Sequence, residues 1–164
     1  MIKLVVSGCY GRMGQRITQL ASQDKDFQIC ALLENSNHPS VNEEFHGIKI
    51  QSDTGAIKGS DVMIEFTSPE ATIANLQACV KNKVNIVIGT TGLIPEQIAQ
   101  IEKAAQKIAI VFSSNMSVGV NILFGLAKDA AARTGQTYKV KIIEAHHLHK
   151  KDKPSGTAKT LAEY

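Results

Sequence analysis

A chain of 164 residues is long enough for one domain with a real core, or for one domain and part of a second. With 43% apolar and 20% charged residues it has the composition of a folded protein. A net charge of +3, with one short basic cluster at Lys150, Lys151 and Lys153 that Asp152 interrupts, gives no reason to expect a nucleic-acid partner. No apolar run approaches the ~20 residues of a membrane span. The chain opens directly on a strand pattern, so no leader segment is expected. Cys9, Cys30 and Cys79 are an odd number with no CxxC pair. They read as reduced, partly buried thiols, so a soluble cytoplasmic protein is expected, with no membrane partner.

In chain order, residues 2–6 read as a strand and 12–22 as a helix with Met13, Ile17, Leu20 and Ala21 at helical spacing. A second strand is expected at 27–33. Residues 35–52 are polar and turn-rich, with a short strand at 48–50. Another strand follows at 62–66. Ser68-Pro69-Glu70 then opens a helix that runs to about Lys81: a hydroxyl caps, proline fits the first position, and an acid suits the dipole. Strand 85–88, a helix from Pro95 to about Lys107 and strand 109–112 continue the rhythm. A longer helix is predicted over 118–133, with Ile122, Leu123, Leu126, Ala127 and Ala130 as its apolar stripe. Residues 138–144 alternate as a half-buried strand would, and a last helix spans 155–164. Strands alternating with helices predict a Rossmann-type, doubly wound parallel α/β sheet, because parallel neighbours need a crossover. The rhythm changes near 115–121. The expected organisation is a dinucleotide-binding domain at 1–117, followed at 118–164 by the start of an α+β substrate domain.

The first strand runs into Ser7-Gly8-Cys9-Tyr10-Gly11-Arg12-Met13-Gly14, a GxxGxxG turn. Gly8 suits a sharp exit from the strand, Gly11 close approach to a diphosphate, and Gly14 close helix packing. The free N–H groups at the helix start would face the anion, and Arg12 could add its fork. Glu34 ends the second strand, where such folds place the acid that binds the adenosine ribose. Gly89-Thr90-Thr91-Gly92 and Ser113-Ser114-Asn115-Met116-Ser117 follow later strands, at the sheet edge where ligands bind in open α/β folds. The alternative for each turn is an ordinary loop.

The densest chemistry lies in residues 144–158, where His146, His147 and His149 fall within four positions beside Lys150. A metal site is one reading, but no cysteine is near and Lys150 would repel a cation, so no metal is expected. A solvated basic loop is another. The third is an acid-base and anion-binding site: a proton source, a cation, and the Ser155-Gly156-Thr157 helix start as a carboxylate nest, suited to a dicarboxylate.

Taken together, Gly8-x-x-Gly11-Arg12-Met13-Gly14, Glu65-Phe66-Thr67, Gly89-Thr90-Thr91-Gly92, the run 114–121, and the run 144–158 ending in Pro154-Ser155-Gly156-Thr157-Ala158 resemble the dihydrodipicolinate (4-hydroxy-tetrahydrodipicolinate) reductase family. The resemblance covers the whole chain. It implies NADH- or NADPH-dependent reduction of a cyclic dicarboxylate on the route to diaminopimelate and lysine. It implies His146 and Lys150 as the acid-base pair and His147, Ser155, Gly156 and Thr157 as substrate-carboxylate contacts. Cofactor contacts would fall on Gly8, Cys9, Tyr10, Gly11, Arg12 and Met13, then on Glu34. Further contacts would fall on Gly89, Thr90 and Thr91, and on Ser113, Ser114, Asn115 and Met116. Many members carry arginine directly after the acid, whereas this chain has Asn35, a mild tilt toward NADH. Members also continue past the last helix with more of the substrate-domain sheet, through which they form homotetramers. The chain therefore reads as truncated, expected to bind nucleotide better than it turns over substrate, and not expected to tetramerise alone. The rivals are another Rossmann oxidoreductase and a non-catalytic nucleotide-binding regulatory module.

Overall fold

The computed structural model describes residues 1–146, 148 and 153–163. The chain divides into two compact units, Met1–Phe112 and Ser113–Tyr164.

The first unit is built around β1 (Ile2–Ser7), whose last four residues are all buried and which has parallel neighbours on both sides: β2 (Phe27–Leu33) and β5 (Val62–Glu65). With β3 (Glu44–Phe45), β4 (Ile48–Gln51), β6 (Asn85–Ile88) and β7 (Ile110–Phe112), the sheet order is β3-β4-β2-β1-β5-β6-β7. Only β3 is antiparallel, paired to β4 across a two-residue turn in which His46 and Gly47 both have positive φ, as primed hairpin turns require. The helices are α1 (Arg12–Gln23), α2 (Pro69–Asn82) and α3 (Pro95–Ala104).

Side chains of β1 alternate between two cores, as a pleated strand demands. Leu4 and Val6 join Cys9, Ala21, Leu32 and Ile50 on the α1 side. Val5 joins Met63, Leu76, Cys79, Ile86, Ile88 and Ile101 on the α2–α3 side. Each fully buried aliphatic side chain contributes about 2 kcal/mol relative to exposure. The expected doubly wound parallel sheet is therefore the observed one. Because β2 lies on one side of β1 and β5 on the other, the order reverses at the carboxyl end of β1, where the glycine-rich turn stands.

Several expectations are corrected. Helix α1 buries Gly14, Thr18 and Ala21, whereas Met13 and Leu20 are about half exposed. The pairing of β1 with β2 skips Cys30, a bulge that turns this cysteine outward, so only Cys9 and Cys79 are buried thiols. Helix α3 ends at Ala104, three residues short of Lys107.

In the second unit, α4 (Val118–Thr134) forms as expected, capped by Ser117 on the Val120 N–H. Its predicted stripe is not a core stripe: Ile122, Leu123 and Leu126 are exposed, and Phe124 is the buried residue. Residues 138–144 form no strand. The alternation is present, but a strand also needs a hydrogen-bonded neighbour, and among the described residues none lies beside it. The unit ends in α5 (Gly156–Ala162).

Candidate functional site

In the first unit, strand ends and the glycine turn enclose a cleft of about 450 Å³. Its lining includes Gly8, Gly11, Glu34, Asn35, Phe66 and Thr67, and its size is that of a small-molecule site. Gly8 has φ +75°, and a Cβ there would stand 2.3 Å from the Phe66 carbonyl oxygen. A Cβ on Gly14 would stand 2.0 Å from the Gly8 carbonyl oxygen. Glycine at these two positions lets α1 start directly behind the turn. The N-cap of α1 is Gly11, with no side-chain cap and no acid in the first turn. By contrast, α2 and α3 carry Glu70 and Glu96 in their first turns. The positive end of α1 therefore has neither a capping side chain nor an acid in its first turn to offset it. Arg12 and Met13 are exposed beside it, and Tyr10 is half-buried, its ring 5.0 Å from that of His38. Cys9 is different: its side chain is fully buried and its thiol is pushed up to about 12, mainly by burial and then by Glu34, so only its backbone is available to a ligand.

Glu34 faces the same turn. Its carboxylate accepts from the Tyr10 N–H at 3.0 Å and from the Asn35 N–H at 2.9 Å. Two backbone N–H groups thus fix the orientation of this acid. The Asn35 side chain is itself engaged, accepting from the Asn37 N–H.

The ends of β5 and β6 are joined by a buried carboxyl, Glu65, which stood in the Glu65-Phe66-Thr67 motif without a role. Glu65 is fully buried and accepts from the hydroxyls of Thr67 (2.5 Å), Thr72 (3.0 Å) and Thr90 (3.0 Å). Burial pushes its carboxyl above the usual range, against the pull of those three hydroxyls. Thr90 also accepts from the Thr67 N–H at 2.8 Å. The Thr90 side chain therefore points inward, Gly89 lies against the Phe66 ring, and Thr91 is half-buried.

In the second unit, Glu144 organises the described part of the histidine loop. One carboxylate oxygen accepts from the Ser155 N–H at 2.9 Å. The other accepts from the Ser155 hydroxyl at 2.5 Å and pairs with His146 Nε2 at 2.8 Å. These contacts, Ser155 foremost, hold the Glu144 carboxyl down at about 2. Ser155 is buried, and its hydroxyl also accepts from the Ala158 N–H to cap α5. Its own donors are thus already taken by Glu144, while Gly156 and Thr157 remain half-exposed. The loop 113–117 meets α5 through Ser114–Thr160 at 2.9 Å and Asn115–Thr157 at 3.0 Å. The Ser113 hydroxyl donates to the Asn115 carbonyl, and Met116 is exposed. His147 and Lys150 lie outside the described residues. Glu144 stood in the motif without a role; its spacing two residues before His146 was the available signal. Among the described residues no group of three metal-ligating side chains occurs, and no helix is long and apolar enough to cross a membrane.

Comparison with known proteins covers the chain end to end. The family model described as dihydrodipicolinate reductase, N-terminus, matches residues 2–116, and that for its C-terminus matches residues 119–164. The 4-hydroxy-tetrahydrodipicolinate reductase of Nitrosomonas europaea is 43% identical over 170 aligned positions, covering 99% of this chain and 63% of that protein. That of Syntrophotalea carbinolica is 41% identical over 172, covering 99% and 64%. The dipicolinate-bound dihydrodipicolinate reductase of Paenisporosarcina sp. TG-14 superposes with TM-score 0.78 at 27% identity, covering 99% of this chain and 64% of that one. The chain thus spans a little under two thirds of the length of the relatives it matches.

Proposed function

We propose, because the chain belongs to the dihydrodipicolinate reductase family, that it carries the cofactor cleft and the acid-base loop of an NAD(P)H-dependent reduction. The reaction converts 4-hydroxy-tetrahydrodipicolinate to tetrahydrodipicolinate, in the pathway to diaminopimelate and lysine: the ring takes up one hydride and one proton, and the 4-hydroxyl leaves as water. We draw the functional boundary between residues 117 and 118. Three unpaired cysteines suit a reducing, cytoplasmic setting.

The cofactor half rests on one observation above others: the uncapped, acid-free start of α1 behind Gly8 and Gly14, with Glu34 aimed at the same turn. A dinucleotide's diphosphate meets free N–H groups there, and its adenosine ribose meets the Glu34 carboxylate. Tyr10, Gly11, Arg12 and Met13 line the approach, and Cys9 contributes backbone. Gly89, Thr90 and Thr91 border the nicotinamide half, and we assign Ser113, Ser114, Asn115 and Met116 to the same cofactor. NADH is the preferred form on this reading. Asn35 offers no cation to a 2′-phosphate, and its side chain is spent on a local turn.

When bound, the nicotinamide supplies the hydride. The protein supplies the proton and holds the carboxylates. His146 is the acid that protonates the reduced ring, with Lys150 as its partner. Glu144 fixes the imidazole through Nε2, as a carboxylate orients a catalytic histidine in other enzymes. His147, Gly156 and Thr157 receive the substrate carboxylates, with Ser155 shaping the nest as the α5 cap.

The test is loss of nicotinamide absorbance in the presence of the cyclic dicarboxylate, for the wild type and His146→Gln. General acid catalysis contributes about a hundredfold or more, so the variant should lose at least that factor in turnover while its NADH affinity is unchanged. Equal turnover in the two would remove His146 from the reaction. A regulatory module would show nucleotide binding and no turnover in either.

A further inference from the structure

We propose that Glu65 is a positioning residue for the nicotinamide half of the cofactor site: a buried carboxyl that sets the carboxyl-terminal loops of β5 and β6 at once. This rests on the reading of the cleft as a dinucleotide site.

The geometry carries it. A fully buried carboxyl is costly unless hydrogen bonds satisfy its oxygens. Glu65 has no cation among its partners and three hydroxyl donors instead. The donors come from separate places. Thr72 sits in the first turn of α2 and anchors Oε1 from behind. Thr67, in the loop after β5, and Thr90, in the loop after β6, both donate to Oε2. The Thr67 N–H closes the ring onto the Thr90 hydroxyl. Two loops that share no backbone pairing beyond the sheet thus converge on one oxygen. The Phe66 ring, fixed between them, lies against Gly89 and lines the cleft.

The sheet order then assigns the half-site. The adenosine ribose belongs with Glu34 at the end of β2, and the diphosphate with α1 at the end of β1. The rest of an extended dinucleotide lies on the other side of β1, over the ends of β5 and β6. Glu65 touches no ligand; it holds the loops that do.

Glu65→Gln keeps the shape and removes one acceptor oxygen. Whichever way the amide turns, at least one hydroxyl loses its acceptor. NADH and ADP-ribose are each titrated into the wild type and the variant, ADP-ribose carrying the adenosine, diphosphate and second ribose without the nicotinamide. Losing one to two hydrogen bonds predicts NADH binding weakened about tenfold. ADP-ribose binding should weaken much less, since Phe66 and Thr67 border its part of the cleft but Thr90 does not. Should this variant fail a circular-dichroism check of folding, Thr72→Val takes its place. It is near-isosteric, lies outside the cleft lining, and should weaken NADH about threefold with ADP-ribose again affected less. Equal weakening of both ligands would mean a merely structural role, and no change in either would mean none; both overturn the proposal. If the wild type binds neither ligand, the dinucleotide reading itself fails, and this inference with it.

Discussion

Gly14→Ala is the most direct perturbation of the turn that the cofactor reading depends on. Two effects oppose each other. Alanine is the better helix former by about 1 kcal/mol in a helix interior, so propensity alone predicts stabilisation. Against it, the new methyl would stand 2.0 Å from the Gly8 carbonyl oxygen and 2.7 Å from Cys9 Cα, where ordinary contact begins near 3.4 Å. Both are backbone atoms, so no rotamer change relieves the clash and α1 must back away from β1. Overpacking of this kind costs about 1–3 kcal/mol, and with backbone on both sides the upper end applies. The net expectation is destabilisation by about 1–2 kcal/mol. Gly125→Ala is the control. Gly125 is exposed within α4, and nothing lies within 4 Å of its missing Cβ, so the same substitution should stabilise that helix by about 0.5–1 kcal/mol. Urea unfolding of the three proteins reads both. A Gly14→Ala protein as stable as the wild type would refute the close approach of α1 to the turn. A loss of stability in Gly125→Ala would refute the use of propensity as the opposing term.

Two further outcomes follow from the titratable groups. Cys9 and Cys79 are buried with thiols pushed up to about 12, whereas Cys30 is exposed at the β2 bulge. A thiol reagent should therefore modify one cysteine in the native protein and three after denaturation; fast native reaction of a second thiol would contradict the packing around Cys9 or Cys79. Glu144 is held at about 2 in the folded chain against an ordinary 4.5, so its contribution is present above 4.5 and is lost as pH falls toward 2. The gap in melting temperature between wild type and Glu144→Gln should be constant at neutral pH and close across that acid window; a gap that persists at pH 2 would deny the Ser155 and His146 contacts.

The βα rhythm, the glycine turn and Glu34 were legible because each is local: a strand, a turn and a cap are written in neighbouring residues. What was not legible needed distant partners. The β3–β4 hairpin turns on His46-Gly47, outside the usual Asn-Gly signal, and the bulge at Cys30 is set by the register of β1 against β2. The alternation at 138–144 and the stripe on α4 are genuine patterns, but pattern alone cannot supply the neighbour that would pair with the one or cover the other. The two organising carboxylates illustrate the same limit at the site. Glu65 draws Thr67, Thr72 and Thr90 from separations of 2, 7 and 25 residues, and Glu144 reaches Ser155 across 11. The residues that would touch ligands were marked by type and spacing. Glu65 and Glu144 stood in the motifs too, but their partners became visible only once folding had brought the hydroxyl donors together.

The central claim is that one chain holds a dinucleotide cleft and a dicarboxylate-binding loop. NADH is titrated into the purified chain by nicotinamide fluorescence, with and without pyridine-2,6-dicarboxylate as the substrate mimic. The account predicts saturable NADH binding that the dicarboxylate tightens. Saturable binding indifferent to the dicarboxylate would contradict the substrate half, and no NADH binding by a chain that circular dichroism shows to be folded would contradict the whole.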